Sequence, residues 1–145
     1  MTYKDLTILK FQQVKNAILE CQGNEIREAM NILSILYDIP IEDYVNMKFK
    51  DFQKECTKLD WFTNEFKNLP DKWVKSFDCQ GEHFEIIHNV TDWTAEQFIS
   101  MSNLTKSDSD VIDNLHLILA TLTKGSESLT ELKRRSELFQ NHLSI

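Results

Sequence analysis

Apolar residues recur at helical spacing along most of this sequence, and the period changes at one place. Phe11, Val14 and Ile18 fall at i, i+3 and i+7, which is one face of an α-helix, and similar stripes follow. Around Gly81 the stretches WVKSFD and HFEII instead alternate or cluster aromatic and β-branched residues, as strands do. The sequence therefore predicts a mainly α fold of the α+β class, a bundle of about five to six helices with one small β-hairpin packed on it.

The phase of each apolar stripe predicts which side chains face the core. Lys48, Lys50, Lys54 and Lys58 alternate with acids, which favours a solvated helix face over a nucleic-acid patch. The side chains predicted to point inward are Ile26, Met30, Leu33 and Tyr37; Ile41, Tyr44 and Val45; Phe49, Phe52, Cys56 and Leu59; Phe98, Ile99 and Met101; and Val111, Leu115, Ile118, Leu119 and Leu122.

Capping residues mark where the helices begin and end. Ser, Thr and Asn before an apolar stripe accept hydrogen bonds from the first free backbone amides, and a Gln or Glu three residues later can reach back. Pro40 suits the first turn of a short new helix. The predicted caps are Asn24; Thr94 with Gln97; Ser107 or Ser109; Ser128 with Glu131; and Gly125 as a helix stop.

The length and composition favour a single compact domain made of three parts. Only three Gly and two Pro occur in 145 residues, which leaves little room for linkers. The parts are a helical segment over residues 1–67, the hairpin with helices over 68–125, and an amphipathic helix over 126–145. No apolar run approaches the ~20 residues of a membrane span, and the first residues lack a signal-peptide pattern, so we expect a cytoplasm-like compartment.

The formal net charge of −7 is unevenly distributed. Residues 1–75 carry 11 basic and 12 acidic side chains, whereas residues 76–145 carry 5 basic and 11 acidic ones. The second half should therefore repel nucleic acid and anionic lipid, so we expect neither as a partner.

The stretch CQGEHFEIIH, residues 79–88, holds the densest group of reactive side chains in the sequence. On one strand His83 and His88 would face opposite sides, so they cannot share a metal ion without a bulge. Cys79 and His83 could meet across a turn, yet two ligands do not make a metal site, and the surrounding acids disfavour a thiolate. We therefore predict a hairpin, with no catalytic residue, no metal site and no cofactor.

Other reactive groups also favour structural roles. The three Cys are far apart and lack a C-x-x-C pair, which predicts buried free thiols. The acids of DSDVID lack the Gly and the terminal Glu of a calcium loop, so helix capping accounts for them better. The basic triplet at 133–135 is flanked by Glu residues, which predicts ion pairs within the last helix.

The last segment has one narrow apolar edge, which either docks on its own domain or binds a partner helix. An isolated hairpin is marginal in water, so its apolar side chains are expected to rest on a helical layer. The residues predicted to contact a partner are Trp73, Phe77, Phe84, Trp93, Leu129, Leu132, Phe139 and Leu143.

The order of the segments resembles that of small structural and assembly proteins of tailed bacteriophages. The similarity covers about residues 6–122, and it is greatest to tail-assembly-chaperone-like proteins and virion-carried cargo proteins of gut-bacterial podophages, including the crAss-like group. The stretches that carry it are FQQVKNAILE, ILSILYDIPIEDYVNMKFKDFQKECTKLDWF, WVKSFDCQGEHFEII, DWTAEQFISMSNL and IDNLHLILATL.

This resemblance implies a protein without catalytic residues that acts through contacts with tail, portal or capsid components, alone or as an oligomer within an assembly. It would be found in the virion, as cargo of the capsid or tail, or in the host bacterial cytoplasm during assembly. Three alternatives stay open: a tail-assembly chaperone that is not retained in the virion, a small metal-dependent hydrolase using Cys79, His83 and Asp78, and an acidic inhibitor that mimics DNA.

Overall fold

The computed structural model describes residues 5–21, 23–65, 74–126 and 128–144, with the side chains of 63–65 excluded. The described chain is mainly helical and has one antiparallel hairpin, which confirms the predicted fold class. The chain divides into two compact units, Met1–Pro70 with Ser144–Ile145, and Asp71–Leu143. No helix among the described residues is long and apolar enough to cross a membrane.

The first unit consists mainly of helices in its described part. Asn24 caps the second helix as predicted, because its side-chain oxygen accepts a hydrogen bond from the Arg27 amide at 3.1 Å. The apolar repeat from Phe49 to Leu59 predicts one continuous helix, but the α-helix ends at Cys56 and a short 3-10 turn, Thr57–Leu59, follows. The helices are α1 (Ile8–Glu20), α2 (Glu25–Tyr37), α3 (Ile41–Val45), α4 (Phe49–Cys56) and α5 (Asp60–Glu65).

Helix α2 lies at the centre of the first unit and packs against α1, α3 and α4. One buried cluster joins Leu36 of α2 to Leu6 and Val14, and another joins Leu33 to Tyr44 of α3 and Phe52 of α4. Burial of such side chains contributes about 1.5–3 kcal/mol each. The tyrosine and the phenylalanine therefore fix the two short helices on α2.

The second unit combines the hairpin with four helices in its described part. Strands β1 (Ser76–Cys79) and β2 (Glu82–Glu85) pair with Phe77 opposite Phe84. Gln80 and Gly81 both have positive φ, which gives the tight two-residue turn that matches the twist of the strands. The helices are α6 (Ala95–Leu104), α7 (Asp108–Asp113), α8 (Leu115–Leu122) and α9 (Leu129–His142).

The hairpin rests on α9 through three aromatic rings. Phe139 meets Phe77 and Phe84 edge-on, with ring centroids 5.1 and 4.8 Å away, and the two hairpin rings stack at 5.6 Å. The segment between α8 and α9 also pairs with the hairpin, because Ile86 forms a bridge with Thr123 and the Lys124 amide donates to the Glu85 carbonyl at 3.0 Å. The expectation that the hairpin needs a helical layer is confirmed within this unit.

The predicted caps mostly form. Thr94 and Gln97 make both bonds of the capping box, and Ser107, rather than Ser109, caps α7. The second capping box forms only in part: Ser128 accepts from the Glu131 amide at 3.1 Å, but the Glu131 carboxylate turns instead toward two arginines. Charge pairing within α9 competes with the reciprocal cap, because a guanidinium is the stronger donor.

One predicted helix is divided in two. Asn114 lies between α7 and α8 with φ −103° and ψ 9°, outside the helical range. Its side-chain amide donates to the Leu104 carbonyl at 3.4 Å. This bond ties the break to the last residue of α6, a contact that the apolar stripe alone does not reveal.

Five side chains predicted to face the core are exposed instead, while Leu33, Tyr44 and Phe52 are buried as predicted. In α3 and α4 a neighbouring aromatic residue fills the core position. In α2 the buried face is shifted toward Ile32 and Leu36, and in α6 the buried residue is Gln97. The five exposed side chains are Ile26, Val45, Phe49, Phe98 and Ile99.

Candidate protein-binding surfaces

Among the residues predicted to contact a partner, the aromatic ones of the hairpin and α9 belong largely to the interior of the second unit. Phe84 and Phe139 are buried and Phe77 is half-buried. Trp93 is half-buried, and its Nε1 donates to the Ile87 carbonyl at 3.2 Å. Trp73 lies outside the described residues. Phe84 and Phe139 therefore pack in the hydrophobic core of the second unit and are not exposed for contact with a partner.

Helix α9 docks its apolar edge on its own unit, which is one of the two possibilities that the sequence left open. Ser136 and Phe139 are buried, and Leu132 and Leu143 are half-buried. Leu129, in contrast, is 82% exposed in the first turn. It borders a small cavity of about 180 Å³ that hydroxyl groups of α6, α8 and the start of α9 line.

Ion pairs on the outer side join the hairpin to α9. We call Glu82, Glu131, Arg134 and Arg135 the charged clamp. Arg134 donates two bonds of 2.8 Å to the Glu82 carboxylate and two more, of 3.0 and 2.8 Å, to Glu131. Arg135 lies over the Phe84 ring, 5.3 Å from its centroid, and donates to the Lys124 carbonyl. The predicted ion pairs within the last helix are confirmed, and they extend to the turn of the hairpin.

The thiol and the imidazole of the hairpin point to different faces. His83 Nδ1 lies 2.7 Å from Asp78 Oδ1 directly across the ladder, and both side chains are exposed. Cys79 is buried on the opposite face, where desolvation and the Glu82 carboxylate raise the pKa of its thiol. The three residues of the hydrolase hypothesis therefore do not converge. No group of three or more potential metal ligands occurs among the described residues.

An open groove lies between α2 and α3 in the first unit, with a volume of about 490 Å³. Ile26 and Met30 line one side of it, four residues apart on α2. Ile41 and Val45, again four residues apart, line the other side on α3. Residues at this spacing share one helix face, so two apolar pairs oppose each other across the groove, which we call the α2–α3 groove.

The α2–α3 groove is open to solvent. Ile26 is 51% and Val45 61% exposed. The burial of Tyr44 in the core, against Leu33 and Phe52, turns the other side of α3 outward and so creates this opening. Sites for small molecules usually enclose most of their ligand, whereas an open groove of this shape suits the apolar side chains of another protein.

Polar residues surround the apolar floor of the α2–α3 groove. Asn24 and Arg27 lie on the α2 side, and Glu42 and Asn46 on the α3 side. Neither Arg27 nor Glu42 makes an ion pair with another residue that the structure describes. An apolar centre with a polar rim is the usual composition of a protein interface.

A second exposed apolar surface follows the outer side of α6. Phe98 is 53% and Ile99 61% exposed. Trp93 contacts Phe98, with 6.5 Å between the ring centroids, and exposed Val90 begins the turn before Trp93. We call Val90, Trp93, Phe98 and Ile99 the α6 face.

The sequence pattern predicts four residues of these two surfaces, Ile26, Val45, Phe98 and Ile99, as core residues, and this prediction is wrong. Helical spacing shows that apolar residues share a face, but it does not show whether that face meets the core or solvent. One available signal was that three of these residues are adjacent to another core candidate: Val45 follows Tyr44, and Phe98 and Ile99 are neighbours.

Comparison of the chain with known protein families, with curated proteins and with solved structures finds no match.

Proposed function

We propose that this chain is a non-enzymatic protein that acts through contacts with other proteins, as a structural or cargo component of a tailed bacteriophage particle. The observation that carries the binding role is the α2–α3 groove. The resemblance of the segments to small phage proteins supports the phage setting. Tail, portal or capsid components are the partners that this proposal implies.

The groove supports binding by an apolar stretch of a partner, most simply one face of a helix. Its two walls present apolar side chains four residues apart, and a partner helix repeats its apolar side chains at the same interval. Filling the groove would remove Ile26 and Val45 from water. Full burial of such side chains contributes about 1.5–3 kcal/mol each.

A photo-cross-linking residue at position 45 tests the binding role. Val45 is exposed on the short helix α3, so an aromatic cross-linker fits there without entering the core. The matched control places the same residue at Lys54, which lies on the exposed side of α4 in the same unit. We expect adducts to one tail, portal or capsid protein from position 45 and few from position 54. Equal labelling from both positions, or from neither, would contradict the proposal.

Mass spectrometry of particles purified from the producing bacterial culture tests the setting. Presence in mature particles supports a cargo or structural component. Absence from particles, together with co-purification of an unassembled tail protein, supports the tail-assembly chaperone instead. Stoichiometric zinc in the purified chain, measured by elemental analysis and lost on replacing Cys79 or His83, would favour the hydrolase and overturn the non-enzymatic role.

A further inference from the structure

The α6 face is apolar on the side of the helix that faces away from its own unit. Phe98 and Ile99 are adjacent large side chains on this outer side, and the half-buried Trp93 connects them to Val90. Single exposed apolar residues are common on protein surfaces. A connected group that includes two aromatic rings is less so, and such groups mark binding sites.

The inner side of α6 is fixed to the unit by polar contacts. Gln97 is buried, its Nε2 donates to the Thr121 carbonyl at 3.0 Å, and its Oε1 accepts from the Thr94 amide at 2.9 Å. This amide bonds both to the helix start and to the neighbouring helix α8, so α6 is fixed through its inner side. Phe98 and Ile99 keep more than half of their surface exposed, and that surface is accessible to a partner.

Carboxylates outnumber cations in the sequence segment that contains the α6 face. The sequence has no Lys or Arg from residue 76 to residue 105, but it has five acidic residues there. Two of these, Glu82 and Glu85, are neutralised by Arg134 and Lys124. Glu96 is one helical turn from Ile99 and makes no ion pair with any residue in the described ranges.

Further acids lie on both sides of α6 along the chain. Asp92 is next to Trp93, and its charge is partly offset by Lys124, whose pKa it helps to raise. Asp108 and Asp110 lie in the first turn of α7, and Lys106 is the one cation between α6 and α7. An apolar centre with a predominantly negative surround attracts positive partners and repels nucleic acid and anionic lipid.

We propose that the α6 face binds a cationic amphipathic helix of a partner protein, with its apolar side on Phe98 and Ile99 and its Lys or Arg residues toward Glu96 and the neighbouring acids. This inference rests on the proposed role in protein contacts, and it adds a second surface with a defined partner chemistry. The α2–α3 groove belongs to the other unit, so the two surfaces can be tested separately.

A synthetic peptide provides the probe. We would use a labelled Leu/Lys amphipathic helix of about 18 residues, long enough to be helical, and measure its binding to the full chain by fluorescence anisotropy. We expect the Lys peptide to bind, and binding to weaken with added salt. A peptide with Glu in place of Lys should not bind. Equal binding of both peptides, or binding of neither, would overturn the proposal.

Surface variants separate a specific site from general attraction to an acidic protein. The double variant Phe98→Ser with Ile99→Ser should weaken binding of the Lys peptide by about tenfold or more, because it removes the apolar centre. The matched control is Leu19→Ser, which changes an exposed apolar residue of α1 in the other unit. If both variants bind alike, the α6 face is not the site.

A pair of charge variants completes the test. Glu96→Gln should weaken binding about threefold, whereas Glu137→Gln, the same change on α9, should leave it unchanged. If both variants weaken binding equally, the net charge of the protein alone determines the affinity, and the proposal is overturned. So would a dimeric chain that becomes monomeric when Phe98 and Ile99 are replaced, since a second copy would then occupy the face. Loss of cross-links from Val45 would concern the groove and leave this result intact.

Discussion

The Tyr44 hydroxyl is a polar group buried in an apolar environment. The side chain is almost fully buried between Leu33 and Phe52, and its oxygen has no hydrogen-bond partner within the described part of the chain. Burial accordingly raises the pKa of this phenol. A buried hydroxyl without a partner costs about 1–3 kcal/mol, so the ring of Tyr44 stabilises α3 while its oxygen opposes that effect.

We therefore predict that Tyr44→Phe stabilises the protein by about 1 kcal/mol, measured by urea denaturation. The ring and its contacts stay, and only the oxygen is lost. Tyr37→Phe is the control, because that hydroxyl donates to the Lys58 carbonyl at 3.2 Å and its removal should give no gain. A loss of stability in Tyr44→Phe would show that the hydroxyl is satisfied in solution.

Individual caps were among the features most reliably predicted from the sequence. Asn24 and Thr94 cap their helices as their types and positions indicate, since a cap depends on residues only three positions apart. The ion pairs of Glu131 with Arg134 and Arg135 on the same helix were predicted in the same way, because they too join residues three or four positions apart. The bond from Arg134 to Glu82, 52 positions away in the sequence, was not predictable from such local spacing.

At the scale of elements, α9 holds the hairpin through one ring and exposes another apolar side chain nearby. Phe139 has 0% exposure and touches both hairpin phenylalanines, whereas Leu129 begins the same helix in solvent. Substitutions at these two residues therefore allow a core position and a surface position of the same helix to be compared.

We predict that Phe139→Ala destabilises the protein by about 3–5 kcal/mol, because it leaves a cavity where three rings meet. Leu129→Ala should change the free energy of unfolding by less than about 0.5 kcal/mol. Chemical denaturation of both variants gives the comparison. A small effect of Phe139→Ala would mean that the hairpin does not depend on α9.

The charged clamp between the hairpin and α9 should make stability depend on acid pH. Hydrogen bonds from Arg134 and Arg135 lower the pKa of Glu131 from 4.5 to about 2, and Arg134 also lowers the pKa of Glu82. A carboxyl whose pKa is lowered by folding stabilises the folded state above its unfolded pKa. That contribution is lost as the pH falls toward the folded pKa.

We predict that Arg134→Gln lowers stability at neutral pH and that its difference from the parent shrinks as the pH falls from 4.5 toward 2. Thermal denaturation across this range measures the effect. Lys133→Gln makes the same change of charge on the same helix without touching the clamp, so it should show a weaker pH dependence. Identical curves for the two variants would attribute the effect to net charge.

At the scale of the whole molecule, the sequence predicted the mainly helical fold class and the position of the hairpin. It also predicted that the hairpin packs on a helical layer. Those features follow from local periodicity and from the turn at Gly81. The exposed members of the two surfaces were predicted as core, because Ile26, Val45, Phe98 and Ile99 continue apolar stripes whose other members are buried or half-buried. Which of several apolar neighbours enters a core depends on packing between elements, and the sequence pattern does not contain it.

The polar attachment of α6 has a consequence for how this sequence can change over evolutionary time. Gln97 needs both an amide donor and an amide acceptor, for Thr121 and Thr94, so few other residues could replace it. Folding places no comparable restriction on positions 98 and 99. Among diverging descendants of this chain, bulky apolar side chains kept at those two positions would therefore be a sign of selection for binding, whereas an unchanged position 97 would reflect the helix alone.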